Sequence, residues 1–252
     1  MKFNIIGEFY LWLRRHEMCI LDSGSQGMCY RIGNKVYKIF LQYIDYEVDW
    51  VNSYSKDDIM QFSSVINNTY VFPTNVILVG DIVVGYIMDY VNAKSLYKIN
   101  PFYVNLDKFQ NSLENVVDDI RIISNNGILS FDVMYNILYG DNGFKVIDTL
   151  DYSKNDKNVL ELYKINYERF IYEIRLFLID GIFDKFISSD KMLNDMCYDK
   201  EANFVCFLKM FRDKLSENEG KEILKLMDAR NSMNKSKTKN LKYIREFCDS
   251  FL

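Results

Sequence analysis

The chain has 252 residues, of which 49% are hydrophobic and 15% aromatic, and its formal net charge is −4. This composition predicts a globular protein, either one large domain or two lobes around a cleft, and argues against a disordered chain. The negative charge argues against bulk electrostatic attraction to nucleic acid. No apolar run approaches the roughly 20 residues of a membrane span, and the first residues lack a signal-peptide pattern. We therefore expect a cytoplasmic protein with no nucleic-acid or membrane partner.

Cysteine and histidine usage argues against two further kinds of site. The five cysteines are an odd number without metal-ligand spacing, and the chain has one histidine, so a zinc site is not expected. The cysteines are expected to be reduced, mostly buried thiols. Ser-His-Asp or Cys-His catalysis would have to use His16, which lies in a polar stretch and is expected at the surface.

Residues 18–41 contain three short runs of strand-forming residues joined by two turns. Residues 1–16, ahead of them, carry an apolar pattern that fits a short amphipathic helix or strand. The first turn of 18–41 is rich in glycine, with Gly24 and Gly27 on either side of a Ser-Gln pair, and the second carries a Gly-Asn pair. This pattern predicts a three-stranded antiparallel segment.

The glycine turn and the strand after it offer groups that bind phosphate. Without a Cβ, the turn at Gly24 and Gly27 can fold over phosphates and present its backbone N–H groups to them. Lys38 lies in the alternating run VYKIF on the neighbouring strand, where its ammonium group can neutralise phosphate charge. The same pattern is also typical of an ordinary hairpin with a surface lysine.

The next part of the chain predicts one helix, two strands and a junction. A 3.6-residue apolar stripe indicates a helix late in 45–66, stopped by the Phe-Pro pair at 72–73. Two apolar runs, 75–80 and 82–91, indicate strands separated by a Gly-Asp turn. The polar connector at 91–95 is interpreted as the junction between a sheet-rich half and a helical half.

Helical periodicity dominates from residue 104 onward. A good amphipathic pattern closed by Asn-Gly predicts a helix over 104–127, and one or two helices are predicted over 157–187. We expect a break near 188–200, then two more segments of the helical half, 202–215 and 220–231, and a tail that is first basic and then amphipathic.

A hairpin interrupts this helical half and carries polar side chains at its ends. Asn136 closes a short loop that contains Asp132, and the runs NIL and FKVID then flank the turn Gly140–Gly143. The second run ends in Asp148. Two carboxylates and an amide form a set of oxygen groups of the kind that Mg²⁺ and a phosphate chain require. The alternative is a β-hairpin that happens to have polar ends.

Taken in order, these segments resemble the eukaryotic-like protein kinase fold, in the compact form of bacterial kinases and kinase-like phosphotransferases. The stretches SGSQGMCYRI, VYKIF, GYIMDYVNAKSL, SFDVMYNIL and FKVIDT stand where the family has its glycine-rich loop, strand-three lysine, hinge, catalytic loop and metal-binding aspartate. The resemblance implies a bilobal α+β fold. Residues 1–91 would form an N-lobe with a small antiparallel sheet plus a helix, and 92–252 a large, mostly helical C-lobe.

The resemblance also implies an activity and a set of site residues. The activity is ATP- and Mg²⁺-dependent transfer of the γ-phosphate to a hydroxyl of a protein (Ser/Thr) or a small molecule. Lys38 would hold the α- and β-phosphates, Asp132 would accept or orient the acceptor hydroxyl, and Asn136 and Asp148 would hold Mg²⁺. The residues implied to bind nucleotide are Gly24, Ser25, Gln26, Gly27, Cys29, Lys38, Met88, Asp89 and Val91.

The resemblance is incomplete, and this leaves alternatives open. Asp22 stands at the first glycine of the loop motif, Ser130 and Phe131 replace the usual His-Arg, and the loop from Asp132 to Asn136 is one residue shorter than in the family. No Ala-Pro-Glu motif follows the hairpin. The alternatives are a pseudokinase that acts as a nucleotide-binding or interaction module, and an α+β domain whose motif matches are accidental.

The acidic partner that the family gives to its strand-three lysine is not settled by the sequence. Asp58 fits best by its position before the Phe-Pro pair, and Asp57 and Glu47 are competitors. An aspartate reaches less far than the usual glutamate.

Overall fold

The computed structural model of the protein describes residues 1–24, 26–44, 54–198 and 203–234, and for 22–24 the backbone alone. Ser25, Glu47 and the tail from residue 235 lie outside these ranges. Within them, the chain is an α+β protein with a mixed six-stranded sheet, smaller sheets and several helices.

The six-stranded sheet has the order β1-β5-β6-β4-β3-β2. Its strands are β1 Lys2–Phe3, β2 Met18–Gly24, β3 Gly27–Ile32, β4 Lys35–Phe40, β5 Asn75–Val79 and β6 Ile82–Asp89. Strands β2 to β6 pair antiparallel, whereas β1 runs parallel to β5. The expectation of a purely antiparallel sheet is therefore wrong at this edge. No hairpin joins β1 to β5, so no tight turn fixes its direction.

Side chains on the two faces of this sheet pack into separate apolar clusters, because successive residues of a strand point to opposite faces. On one face, Val36 and Phe40 of β4 pack with Ile59, Val76, Val83, Tyr86, Met88 and Leu150. On the other face, Ile39 packs with Tyr30, Ile77, Val84, Ile87, Phe9 and Leu13. The last two residues belong to helix α1, Ile6–Arg14, so residues 1–16 form both a strand and a helix. His16 follows α1 and is exposed, with Nδ1 2.7 Å from the carbonyl oxygen of Trp12.

The helix expected late in 45–66 is much shorter than predicted. Helix α2 spans Lys56–Met60 and begins at Ser55 with a capping box shared with Asp58. The N–H and the hydroxyl of Ser63 both donate to the carbonyl oxygen of Met60, which closes the helix as a turn. Phe62 is therefore buried from a turn, whereas Ile66, which the predicted stripe included, is exposed. Residues 45–53 lie outside the described ranges.

Helices dominate the described residues of the second half, as predicted. They are α3 Leu106–Asn125, α4 Val159–Leu178, α5 Asp184–Ser188, α6 Lys191–Tyr198 and α7 Phe204–Glu219. Five short strands accompany them, namely β7 Lys94–Ser95, β8 Ile128–Leu129, β9 Ile137–Gly140, β10 Gly143–Val146 and β11 Ser153–Lys154. The predicted hairpin is confirmed as β9 and β10, whose register pairs Gly140 with Gly143. None of the helices within the described ranges combines the length and the apolar composition that a membrane span requires.

Three further expectations are wrong. The break near 188–200 contains α6, whose first turn is capped by the Asp190 carboxylate through the N–H groups of Met192 and Leu193. In 220–231 the one helical piece is a 3₁₀ turn at Leu226–Asp228. The thiols are less buried than predicted, because Cys19 and Cys206 are exposed while Cys197 is buried.

The described residues divide into two compact units. The first comprises Met1–Ile66, Tyr70–Asn92 and Ile147–Leu150, and the second comprises Asn67–Thr69, Ala93–Val146 and the residues from Asp151 onward. Asp119, a buried acid on α3, explains why 67–69 belong to the second unit. Its carboxylate accepts hydrogen bonds from the N–H of Asn68 and, at 2.6 Å, from the hydroxyl of Thr69.

Candidate functional site

Lys38 lies on the face of the six-stranded sheet that packs with Ile59 and Leu150. It occupies the middle of β4 and alternates with Ile39, so it shares a face with Val36 and Phe40. Only 6% of the residue is exposed. A lysine in such an apolar position loses the hydration of its ammonium group, and a charged partner has to compensate for that loss.

Asp148 provides this partner from a segment more than a hundred residues later. The Nζ of Lys38 lies 2.6 Å from Oδ1 of Asp148 and 3.4 Å from Oε1 of Gln26. Tyr86, the β6 residue in register with Lys38, donates its hydroxyl to the same carboxylate oxygen at 3.2 Å. Lys38, Gln26, Tyr86 and Asp148 therefore form one polar group at the edge of the apolar cluster.

The segment that carries Asp148 is fixed to the first unit on both sides of the carboxylate. The hydroxyl of Thr149 donates to the carbonyl oxygen of Val71 at 3.0 Å, and Leu150 packs into the cluster of Val36. Asp148 itself has φ +57°, in the left-handed region. Asp tolerates this conformation better than most residues, and here it accompanies the contact of the side chain with Lys38.

Two glycines let strands approach the Lys38 backbone closely. Gly27 closes the β2–β3 turn opposite Gly24, and a Cβ on Gly27 would lie 2.2 Å from the carbonyl oxygen of Ile39. A Cβ on Gly85 would lie 2.1 Å from the carbonyl oxygen of Lys38. Any side chain at either position would push β3 or β6 away from β4.

The other residues predicted to bind nucleotide lie on the same sheet or just after it. Cys29 stands opposite Lys38 in the β3–β4 register and is half-buried. Met88 is 7% exposed and opposite Val36, so its side chain belongs to the apolar cluster. The carboxylate of Asp89 contacts the ammonium group of Lys35 at 2.6 Å, and Val91 follows β6 half-buried.

The acids considered as helix partners of Lys38 are placed differently. Asp58 is exposed, and its carboxylate accepts a 2.8 Å hydrogen bond from the N–H of Ser55. The hydroxyl and the N–H of Ser55 hold the pKa of that carboxyl below its usual value. Asp57 is exposed as well, and Glu47 lies outside the described residues. The carboxylate that the structure brings to Lys38 is that of Asp148.

The loop that contains Asp132 and Asn136 belongs to the second unit. The side-chain N–H of Asn136 donates to the backbone oxygen of Asp132 at 2.7 Å, and the N–H of Asn136 donates to the carbonyl oxygen of Val133. Asp132 and Tyr135 have positive φ angles, +43° and +65°. The loop is therefore a tight turn, closed by the Asn136 amide, that presents the Asp132 side chain at an exposed position.

Helix α4 holds the beginning of this loop. Asn166 is fully buried and accepts hydrogen bonds from the N–H and the hydroxyl of Ser130, at 2.8 and 2.9 Å. Its own amide donates to the carbonyl oxygen of Ile128 and to the hydroxyl of Ser124. Arg169, one turn further on, donates to the carbonyl oxygen of Ser130. Both polar groups of the Ser130 backbone are thus bound by one helix.

A cavity of about 530 Å³ opens beside Asp132 within the second unit. Its wall is made by the loop and by α4, and it includes Glu173 at a position that is 4% exposed. The hydroxyl of Tyr97 donates to Oε2 of Glu173, and the rings of Tyr97 and Tyr135 pack with centroids 4.7 Å apart. Burial and, to a lesser degree, the charge of Asp132 raise the pKa of Glu173, while the Tyr97 hydrogen bond lowers it.

Sequence reasoning missed the residues of α4 that build this region. Asn166 and Glu173 occupy the same helical face as the buried Leu162 and Phe170. A polar residue at a position where the 3.6-residue period requires an apolar one is the signal that could have found both. Gly85 and Tyr86, inside an otherwise apolar strand, gave a similar signal.

Comparison with known proteins adds no family to these observations. No protein-family model matches the chain, and no curated protein shows significant sequence similarity to it. In the part of the chain that the structure describes, no group of three or more His, Cys, Asp or Glu side chains is arranged to hold a metal ion. Asp148, with Lys38, lies in the first unit, and Asp132 and Asn136 lie in the second. The function therefore has to be inferred from the residues themselves.

Proposed function

We propose that the protein is an ATP- and Mg²⁺-dependent phosphotransferase with the bilobal fold of protein kinases, which transfers the γ-phosphate to a hydroxyl of a protein (Ser/Thr) or of a small molecule. The observation that carries the proposal is the 2.6 Å contact between the buried ammonium group of Lys38 and the carboxylate of Asp148. A sheet does not need a lysine at that position for stability, since an apolar residue of similar size is often as good or better. A phosphate chain does need a cation beside a carboxylate that can bind a metal.

The donor groups fit the two ligands that this activity requires. The Gly24–Gly27 turn lies beside Lys38 on the same sheet, and the space that a Gly27 Cβ would fill is taken by the backbone of Ile39. Backbone N–H groups in such a turn, together with a lysine ammonium, are typical phosphate ligands. Asp148 and Asn136 offer the oxygen atoms that Mg²⁺ prefers. When bound, the ion would neutralise charge on the β- and γ-phosphates.

The remaining residues act on the acceptor. The acceptor oxygen forms a bond to the γ-phosphorus while the bond from that phosphorus to the bridging oxygen of ADP breaks. Asp132 takes the hydroxyl proton or orients the hydroxyl, as the carboxylate of a catalytic loop does. The hydrogen bond that Asn136 donates to the backbone of Asp132 and the one that Asn166 accepts from the N–H of Ser130 hold this loop in place. Positioning and charge neutralisation then supply most of the rate enhancement.

A nucleotide-binding module without catalysis is the second candidate function. It is favoured by the amide N–H of Asn136, which is used within the shortened loop to bind the backbone of Asp132. It is also favoured by Asp22, an acid on β2 two residues before Gly24. In this case Lys38 and the glycine turn would bind ATP, and no phosphate would be transferred.

Incubation with γ-labelled ATP and Mg²⁺ tests the activity. We expect wild type to hydrolyse or transfer the label, and Asp148→Asn to lose this turnover by at least about a hundredfold, as is common when a group that stabilises transition-state charge is removed. Asp81→Asn is a matched control, since Asp81 makes an exposed ion pair with Lys2 in the same unit. Equal turnover in wild type and Asp148→Asn would remove Asp148 as a metal ligand.

Thermal unfolding with ATP separates the two candidates. A ligand that binds the native state alone raises the melting temperature by mass action. A Mg²⁺-dependent shift together with turnover supports the phosphotransferase, and a shift without turnover supports the nucleotide-binding module. No shift with or without Mg²⁺ would contradict both candidates.

A further inference from the structure

Glu173 is a buried carboxylate that the roles given above do not use. Its side chain forms part of the wall of the 530 Å³ cavity beside Asp132, yet the residue is only 4% exposed. An isolated carboxylate in such a position is costly unless hydrogen bonds or a cation compensate for lost hydration. A residue retained there at that cost requires an explanation.

One of the two carboxylate oxygens of Glu173 is hydrogen-bonded within the protein. Oε2 accepts a hydrogen bond from the hydroxyl of Tyr97, whose ring packs on Tyr135. Among the described residues, Tyr97 is the hydrogen-bond partner of this carboxylate, and Oε1 has no protein donor there. The orientation of Glu173 is therefore fixed by Tyr97, while its second oxygen is left for a group from outside the protein.

The charges around the cavity indicate which group that is. Of the described residues that line it, three are carboxylates, Asp132, Glu168 and Glu173, and one is a guanidinium, Arg169. Arg169 donates to the carbonyl oxygen of Ser130, and its guanidinium lies 5.8 Å from the ring centroid of Phe131. Asp132 and Glu173 alone therefore give this wall two carboxylates against one guanidinium, and a cavity with such walls concentrates cations.

We propose that this cavity is the acceptor site and that it selects a small hydroxyl compound carrying an ammonium group, which Glu173 binds through Oε1. The role of acceptor rests on the proposed phosphotransferase, whereas binding of the amine does not. The cavity has the size of small-molecule sites, which are about 300–1,000 Å³. Asp132 lines the same cavity, so an acceptor held at Glu173 has its hydroxyl groups within the space that Asp132 faces.

Binding of three matched sugars tests the selectivity directly. Glucosamine, glucose and glucuronate share a hydroxylated ring and differ in charge, being cationic, neutral and anionic at neutral pH. We expect calorimetric titration of wild type to give about tenfold or tighter binding of glucosamine than of glucose, because a hydrogen bond to a charged group contributes this order of affinity. Glucuronate should bind more weakly than glucose.

Two variants on one helix assign the selectivity to Glu173. Glu173→Gln keeps the shape of the side chain and an acceptor for Tyr97, and should reduce the preference for glucosamine over glucose to about one. Glu161→Gln makes the same charge change at a partly exposed position of α4 that pairs with Lys157, and should keep the preference. Tyr97→Phe leaves the Glu173 charge in place and should keep the sign of the preference. Far-UV circular dichroism of each variant checks that the fold is retained.

The outcomes distinguish this inference from the proposed function. Equal binding of glucosamine and glucose to wild type, or a preference that persists in Glu173→Gln, overturns the amine site. A preference for glucosamine that depends on Glu173, in a protein that does not turn over γ-labelled ATP, supports the amine site and overturns the phosphotransferase. Turnover of ATP without any preference for the amine overturns the amine site alone.

Discussion

Asp148→Asn tests whether the carboxylate of Asp148 is what allows Lys38 to remain buried. The substitution removes the charge but keeps the shape and an oxygen that can accept the hydroxyl of Tyr86. Removing one partner of a buried ion pair costs about 3–5 kcal/mol, because the other charge is left uncompensated. The Lys38 side chain is 8% exposed and that of Asp148 29%, so water reaches part of the pair. We therefore expect the lower end of this range, about 3 kcal/mol.

The expected loss is large enough to measure by thermal unfolding. For domains of 150–250 residues, each kcal/mol lowers the melting temperature by roughly 2–4 °C, so Asp148→Asn should melt roughly 6–12 °C below wild type. The measurement is circular dichroism in the absence of nucleotide and Mg²⁺, so that ligand binding does not contribute. Asp81→Asn, which breaks the exposed pair with Lys2, should leave the melting temperature unchanged.

The opposite variant shows whether the cost arises from the buried ammonium group. Lys38→Met places an apolar side chain of similar length beside Val36 and Phe40, and leaves Asp148 with water and the hydroxyl of Tyr86. We expect a loss of about 1 kcal/mol, below the cost of removing Asp148, because the remaining charge is then that of Asp148, whose side chain is 29% exposed and can be hydrated. The double variant should be about as stable as Lys38→Met alone, which corresponds to a coupling of roughly 2–3 kcal/mol.

Two results would refute this reasoning. If Asp148→Asn and Asp81→Asn have the same melting temperature, burial of the Lys38 ammonium group does not depend on the carboxylate of Asp148. If the two single variants are additive in the double variant, the 2.6 Å contact carries no coupling energy.

Three further predictions concern the sheet, the loop and the cavity. Gly85→Ala should lower the free energy of unfolding in urea by roughly 1–3 kcal/mol, as is usual for overpacked sites. The reason is that its Cβ would lie 2.1 Å from the carbonyl oxygen of Lys38. A variant as stable as wild type would show that β6 can move at no cost. Asn166→Leu leaves the buried N–H of Ser130 without its acceptor. It should lower the free energy of unfolding by about 1–3 kcal/mol and reduce turnover of ATP. Unchanged turnover would show that the activity of the loop does not depend on its hydrogen bonds to α4. Burial raises the pKa of Glu173 above its ordinary value of 4.5, so ionising it opposes folding increasingly as pH rises above that value. Relative to wild type, the melting temperature of Glu173→Gln should therefore increase as the pH rises above about 4.5, and a constant difference would contradict the raised pKa.

Local sequence signals predicted the longer strands, because turn chemistry and alternation act over a few residues, but not the two-residue strands β7, β8 and β11. The Gly-Asn pair after Ile32 does separate β3 from β4, and the turn Gly140–Gly143 does join β9 to β10. Positive φ angles at Gly33 and Gly143 explain the choice of glycine there. These turns would form in the same way in almost any fold, so the sequence nearby was sufficient.

Segments whose backbone is used by distant partners were predicted less well. In 220–231 the N–H of Leu106 donates to the carbonyl oxygen of Leu224, and Asn105 forms a β-bridge with Lys225. Gly220, with φ +66°, ends α7 just before this segment. The segment therefore pairs with the start of α3 and is mostly non-helical, which helical periodicity within it could not reveal.

The candidate site shows the same division between local and distant information. Lys38, Asp132, Asn136 and Asp148 were identified because each lies next to a turn or in a strand with a recognisable pattern. The acid expected to pair with Lys38 from a helix was Asp58, with Asp57 and Glu47 as competitors, whereas the acid that contacts Lys38 is Asp148, 110 residues away. Position in the sequence favoured the acids near Lys38, but the folded chain places the distant Asp148 against its ammonium group.

Positive φ angles occur in both of the segments that carry these residues. Among the described residues, three non-glycine residues have positive φ, and they are Asp132, Tyr135 and Asp148. Such conformations cost about 1–3 kcal/mol each and persist where surrounding contacts determine them. Here those contacts are the Lys38 ammonium at Asp148, the Asn136 amide at Asp132 and the Tyr97 ring at Tyr135. In each unit, therefore, the positive φ angles occur in a segment that side-chain contacts hold in place.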